Sequence, residues 1–324
     1  MKKLTILFVF LIQTLNLIGQ VKEAENIIKK APKVDSLGWK KGGLISINLA
    51  QTSLTNWAAG GQNSVSIQGL LSLFASFKSD FTIWDNYLDI GYGLLQQGES
   101  KKFIKTDDKF ELTSKFGLQF QKNFFIAGAL NFKTQMTVGW NYAKDTQKIS
   151  NFLSPAYLII GLGIDWKPKQ ALSVFGAPFT GRLTYVGDSE LANKGAFGVK
   201  PAIYDSLGNL LKSAEKMKKE FGGFVRLFFN KGDFDIEFLK NVNITTKLEL
   251  FSDYLNKPQN IDVNWENIIV FKVNKIISIN LITQLIYDDN VKIPIDSNGD
   301  GKFDTHAPRT QFKEIFGLGF SLNF

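Results

Sequence analysis

Along most of this chain, large apolar residues alternate with small or polar ones. The last stretch shows it most cleanly: Lys313 to Phe324 places Phe316, Leu318, Phe320, Leu322 and Phe324 on one side and Gly317, Gly319, Ser321 and Asn323 on the other. Period-2 alternation puts these two sets on opposite faces of an extended strand. A greasy face that runs to a terminal aromatic residue is expected of a strand whose apolar side meets lipid rather than a protein core. Eleven earlier segments repeat the pattern: 44–52, 64–77, 87–97, 109–121, 124–142, 157–166, 172–186, 221–230, 242–251, 263–273 and 276–288. The fourth is the clearest, with Phe110, Leu112, Phe116, Leu118 and Phe120 against Lys109, Glu111, Thr113, Lys115 and Gln119. In the fifth, Met136, Val138 and Trp140 are expected to continue the outward face begun at Ile126. In the seventh, Phe175, Phe179, Leu183 and Tyr185 are expected outward and Arg182 inward. Pro178 cannot donate to a ladder, so a bulge is expected there.

The links between segments sort into two kinds. Those after the fourth, sixth and tenth are very short, such as Lys122-Asn123 and Asn274-Lys275. Those after odd segments are long, the longest running from Gly187 to Glu220. Short turns on one side and long loops on the other is the asymmetry of outer-membrane barrels. An even number of strands closes the sheet and leaves no edge. The pattern therefore predicts an all-β protein: a single twelve-stranded antiparallel transmembrane barrel with short periplasmic turns and long extracellular loops. A soluble two-sheet sandwich would also bury apolar faces, but nothing in it requires the loop asymmetry.

Composition sharpens this picture. Among 324 residues there is no cysteine, which excludes a disulfide scaffold, a thiolate metal site, a cysteine nucleophile and lipidation at cysteine. Lys2 and Lys3 followed by an apolar run from Leu4 read as an export signal over 1–19. No other apolar run approaches the roughly 18 residues of a spanning helix. Residues 20–41 are charged and weakly patterned and are expected to form a periplasmic leader, with Trp39 near the membrane interface. The barrel is expected over 42–324. A mean hydropathy of -0.04 suits alternation that averages lipid-facing against lumen-facing positions. The net charge of +8 falls to +6 without Lys2 and Lys3, and it is too dispersed to suggest nucleic acid.

Three stretches carry a resemblance: S-L-T-N-W-A-A-G-G-Q-N-S at 53–64, P-F-T-G-R-L-T-Y-V at 178–186 with L-A-N-K-G-A-F-G-V at 191–199, and L-F-S-D-Y-L-N-K-P-Q-N at 250–260 leading to Trp265. As a set they resemble a family of uncharacterised outer-membrane β-barrel proteins of Gram-negative bacteria, over about Trp39 to Phe324. The resemblance implies fold and location, and it supplies no catalytic residues.

Candidate chemistry is sparse. Asp296, Asn298, Asp300, the Lys302 carbonyl and Asp304 have the spacing of a calcium loop, with Gly301 at its sharp turn. Ala307 stands where a bidentate Glu belongs, and Asp288, Asp289 or water would have to complete the shell. The two readings are a structural Ca2+ site that stiffens the loop and a hydrated Asp/Asn/Gly turn. Trp57, with Gly60 and Gly61 in the first long loop, is either an anchor for a partner or an interfacial residue on a glycine turn. His306 is the only histidine, so paired-histidine metal sites are impossible. A calcium-dependent hydrolase of outer-leaflet lipid would need a nucleophile or activated water beside it, and no G-x-S-x-G or H-x-S sequence is present there. The expected lumen carries Lys109, Glu111, Lys115, Lys133, Asp165, Arg182, Arg226, Lys247, Glu249, Glu266 and Lys272. Mixed charges of this kind either pair across a barrel and fill it or line a narrow pore. The 188–220 link is long enough to fold inward as a plug, with a short amphipathic helix over 206–219. The function expected is non-catalytic: a narrow pore, or a subunit that contacts lipid and docks other outer-membrane or periplasmic proteins through its loops. Lipid hydrolysis is the alternative.

Overall fold

A computed structural model describes residues 37–323, except 55–61, 99–101, 142–146, 170, 233, 275 and 296–304. The expected signal over 1–19, the expected leader as far as residue 36, the Trp57, Gly60 and Gly61 loop, and the expected calcium ligands Asp296, Asn298, Asp300, Lys302 and Asp304 lie outside these described residues.

The strands are β1 (Gly38–Thr52), β2 (Ser64–Lys78), β3 (Thr82–Gln97), β4 (Ile104–Gln121), β5 (Phe124–Thr134), β6 (Gly139–Asn141), β7 (Gln147–Ser150), β8 (Ala156–Lys169) and β9 (Leu172–Tyr185). After a one-turn helix α1 (Ser189–Asn193) come β10 (Ile203–Tyr204), β11 (Leu210–Lys212), β12 (Met217–Gly232), β13 (Val242–Asp253) and β14 (Ile261–Lys272). The last are β15 (Ile277–Tyr287), β16 (Lys292–Ile295), β17 (Thr305–Pro308) and β18 (Gln311–Asn323). Twelve of them form one closed ring in the order β1-β18-β15-β14-β13-β12-β9-β8-β5-β4-β3-β2, every neighbouring pair antiparallel. Closure is made by β1 and β18, from Leu44 opposite Asn323 to Leu49 opposite Leu318. The other strands pair off as small hairpins, β6 with β7, β10 with β11 and β16 with β17, all in links at the long-loop end.

The two faces are as the alternation requires. Ile47, Leu118, Ile126, Leu162, Phe316, Leu318 and Phe320 are exposed outward, whereas Ser46, Asn48, Gln68, Glu111, Asn131 and Asp165 are buried inward. This inversion of a soluble core is stable only if hydrocarbon covers the outside. Aromatic rings gather at the short-turn end: Trp39 lies 5.4 Å from Phe77 and 5.7 Å from Trp84, and Phe124 stacks on Trp166 at 6.2 Å. Such rings mark the boundary between hydrocarbon and water.

Four expectations need correction. Residues 38–41 are part of β1 rather than of a leader, so Trp39 sits in the girdle as a strand residue. The fifth segment stops at Thr134, because the chain leaves the barrel there; Trp140 belongs to the β6–β7 hairpin. No helix forms over 206–219, which holds the β10–β11 turn and β11 instead. Phe175 points inward and is wholly buried. The cause is the bulge at Ala177–Pro178, where the β8–β9 register slips between Leu162–Phe179 and Ile164–Gly176. One extra residue reverses every side chain below it, so Phe179 faces out at 66% exposed while Ala177 and Phe175 face in. Gly163 makes the bulge fit: a Cβ there would collide with the Gly176 carbonyl and lie 2.6 Å from the Ala177 Cα.

Candidate functional site

The structure gives Lys109, Glu111, Lys115, Asp165, Arg182, Arg226, Lys247, Glu249 and Glu266 charged or hydrogen-bonding partners inside the ring. At mid-height Lys109 on β4 reaches Glu266 on β14 at 2.8 Å and Glu111 at 3.2 Å. Lys247 on β13 contacts Glu111 at 2.9 Å and Glu266 at 3.3 Å. Two lysines and two glutamates thus form a ring of four, and Glu111 also accepts from Asn131 at 2.8 Å. Beside it the Arg226 guanidinium donates to Glu249 at 2.6 Å, and Asn264 donates to the other oxygen of Glu249 at 2.8 Å.

Towards the long-loop end Arg182 is held by Glu220 at 2.7 Å and by Asp262 at 2.6 Å, with its plane 4.1 Å from the Phe251 ring centre. Lys313 meets Asp107 at 2.9 Å, and Gln68 donates to the second oxygen of Asp107 at 3.0 Å. Towards the short-turn end Lys115 pairs with Asp165 at 2.6 Å and donates to Ser173 at 2.9 Å, while Lys167 pairs with Asp85 at 2.6 Å. Phe175, Phe224 and Phe251 pack inside the barrel with Ala127 and Ala177. Across the lumen the rings of Tyr87 and Phe228 stand 5.9 Å apart. Lys272, also expected here, is the final residue of β14.

The position of each partner in the ring matters more than the tally. In the strand order, β4 stands half-way round from β14 and five places from β13. The Lys109–Glu266 and Lys247–Glu111 pairs therefore cross the full width of the barrel, as do Tyr87 on β3 and Phe228 on β12. The lumen is spanned by its own side chains. Paired charges satisfy each other in a confined space where an isolated one would be costly.

Asp85, Asp107, Glu220 and Asp262 were not among the expected lumen residues. Each lies one or two positions beyond a segment limit drawn where the apolar run gave out. Strands of a barrel extend past the apolar band, and the inward parity that Lys109 and Arg226 mark continues to them.

Above the barrel, Asp188 organises the long β9–β12 link. It caps α1 by accepting from the Glu190 and Leu191 N–H groups at 3.0 and 3.3 Å, and its other oxygen takes Lys148 at 2.7 Å and Asn151 at 3.0 Å. Partial burial pushes this carboxyl up, but those hydrogen bonds outweigh it and hold Asp188 down to about 2. Val186, Leu191, Ala192 and Val199 form a small core of their own beneath Phe197 and Ala214. By contrast Ile203, Leu207, Leu210 and Leu211 on the β10–β11 hairpin are exposed.

His306 lies exposed on β17 opposite Pro294. Asp289 accepts from Asn260 at 2.7 Å, and Asp288 from the Asn290 N–H at 2.8 Å. Among the described residues no three acidic or histidine side chains gather as a metal site.

A closed ring that is apolar outside and charged inside is a transmembrane barrel, and the chain is an integral protein of the bacterial outer membrane. Residues 49–140 match the family described as "Protein of unknown function (DUF3078)". That span holds the first of the three resembling stretches, and the other two lie beyond it. No curated protein matches the chain in sequence. Similar solved structures include the translocator domain of the autotransporter NalP from Neisseria meningitidis, at 9% identity over 93% of this chain and 94% of that one, with a TM-score of 0.36. An outer-membrane channel from Pseudomonas putida F1 is 9% identical over 89% and 96%, with a TM-score of 0.37. The NanC porin is 6% identical over 86% and 97%, with a TM-score of 0.35. At such scores these likenesses carry no argument about this chain, whose fold rests on its own ring of twelve strands.

Proposed function

We propose that this is a non-catalytic outer-membrane barrel with a closed lumen, which acts as a docking subunit through the structured links at its long-loop end. The observation that carries the reading is the bridge of Lys109, Glu111, Lys247 and Glu266 between opposite walls. A diffusion pore needs a continuous water path, and paired side chains stand in it. Docking is favoured by the exposed apolar residues of the β10–β11 hairpin, held out on a link that has its own small core. Exposed apolar side chains grouped away from the lipid belt are typical of protein contacts.

The test has two arms. Replacing residues 203–212 by a short Gly-Ser turn is expected to abolish specific cross-links from that hairpin to neighbouring outer-membrane proteins, with the barrel still shifting its gel mobility on heating. Unchanged cross-links would remove the docking reading. Liposomes holding the intact protein are expected not to swell in small sugars. Swelling would restore the narrow-pore reading. For the lipid-hydrolase alternative, His306→Ala is the discriminating variant: turnover of outer-leaflet lipid by the wild type, lost in the variant, would favour that reading over docking.

A further inference from the structure

We propose that the cleft between β4, β5 and the β6–β7 hairpin binds a small organic monocarboxylate with an apolar body. The cleft has a volume of about 320 Å³ and opens at the long-loop end. That is at the lower end of the range for sites that hold one small molecule.

Its charges single out one cation. Lys105, Lys109, Lys133 and Lys313 line the cleft with Asp107 and Asp108. Three of the lysines are engaged: Lys105 by Asp108 at 2.8 Å, Lys109 by Glu266 at 2.8 Å and Lys313 by Asp107 at 2.9 Å. The Lys133 ammonium makes no hydrogen bond or ion pair among the described residues. Its register partner on β4 is Glu111, but both oxygens of Glu111 are taken by Lys247 at 2.9 Å. On its other side Lys133 faces Tyr157 across β5–β8, and the Tyr157 side chain also lines the cleft without a hydrogen bond among the described residues. Side chains directly opposite on one face of a sheet lie close together. An ammonium and a phenol, each without a hydrogen bond among the described residues, therefore rise from paired positions of one wall of the cleft.

Two such donors, one of them a lysine that shares the Glu111 carboxylate with Lys109 and Lys247, suit one carboxylate. A dianion would meet Asp107 and Asp108 at the same wall, so the site favours single charge. Trp140 and Ile149 from the hairpin, with Pro155 and Ile286, give the remainder of the cleft an apolar lining. The inference is independent of whether the lumen conducts, because the cleft lies on the outer side of the Lys109–Glu266 bridge.

The probe is benzoate, with neutral benzamide as its isostere, titrated into the refolded full chain and followed by saturation-transfer NMR. Saturable benzoate binding is expected, with benzamide at least about tenfold weaker, because hydrogen bonds to charged groups are the stronger kind. Lys133→Gln should remove the difference between the two probes, and Tyr157→Phe should weaken benzoate by a smaller factor. Should Lys133→Gln fail to refold, Trp140→Ala, which lies outside the barrel, is expected to weaken both probes alike. No saturable benzoate binding, equal affinity for benzamide, or undiminished selectivity in folded Lys133→Gln would overturn the proposal, as would unchanged binding in Trp140→Ala.

Discussion

Lys109 and Glu266 lie 2.8 Å apart although their strands are half-way round the ring from each other. A contact of this kind fixes the width of the lumen as well as its charge. Removing Glu266 leaves Lys109 and Lys247 to share the single carboxylate of Glu111 in a confined space, whereas removing both partners leaves a smaller gap beside a balanced Lys247–Glu111 pair. Glu266→Ala is therefore expected to lower unfolding stability by about 3 kcal/mol. The double variant Lys109→Met/Glu266→Leu should lose much less, and a double-mutant cycle in urea would measure the coupling. Additive losses would show that the pair does not act as a unit.

Gly163 sits under the bulge that turns Phe175 inward. Gly163→Ala would press a methyl into the Gly176 carbonyl, and overpacking of this sort costs about 1–3 kcal/mol. Gly181→Ala, on the neighbouring strand with nothing within 4 Å of its added Cβ, should be close to neutral. Urea midpoints of the two variants make the comparison, and equal midpoints would contradict this account of the bulge.

Asp188 gives the long-loop end a defined acid response. Its folded pKa is depressed to about 2, so its stabilising effect is complete above the ordinary carboxylate range near 4. That effect is lost as pH falls from about 4 through about 2. Hydrogen exchange across 186–199, corrected for intrinsic rates, should be unchanged between pH 7 and pH 5 and should accelerate between pH 4 and pH 2. Asp188→Asn should already show the faster exchange at pH 7 and should lose the acid step.

The spacing of Asp296, Asn298, Asp300 and Asp304 carries its own prediction. Adding a chelator is expected to lower the thermal midpoint, since a ligand bound only by the folded form stabilises it by mass action. Asp296→Ala should abolish the effect. An identical midpoint with and without chelator would leave the stretch as a hydrated turn.

The barrel was legible in the sequence because alternation is a local property that the membrane reads strand by strand. Ile47, Leu118 and Phe320 face lipid and Glu111 and Lys115 face the lumen, as their parity alone requires. What local parity does not carry is a slip in register. Pro178 announced a bulge, yet the consequence for Phe175 depends on the side of the bulge where the pattern is counted. Nor does alternation say where a strand leaves the barrel, so Trp140 keeps the parity of the wall although it belongs to the hairpin. The lumen was legible as a set of charges. Which charges pair was not, because the partners of Lys109 and Lys247 lie more than a hundred residues away and meet only when the ring closes.

The closed lumen is tested most directly by conductance in a planar lipid bilayer, comparing the wild type with a variant in which Lys109, Glu111, Lys247 and Glu266, together with Tyr87 and Phe228, are all alanine. Wild-type protein verified as folded and inserted is expected to be silent at low voltage, and the variant to show discrete, persistent channels. Steady wild-type channels at low voltage would contradict the account, because they would require a water path past the Lys109–Glu266 bridge.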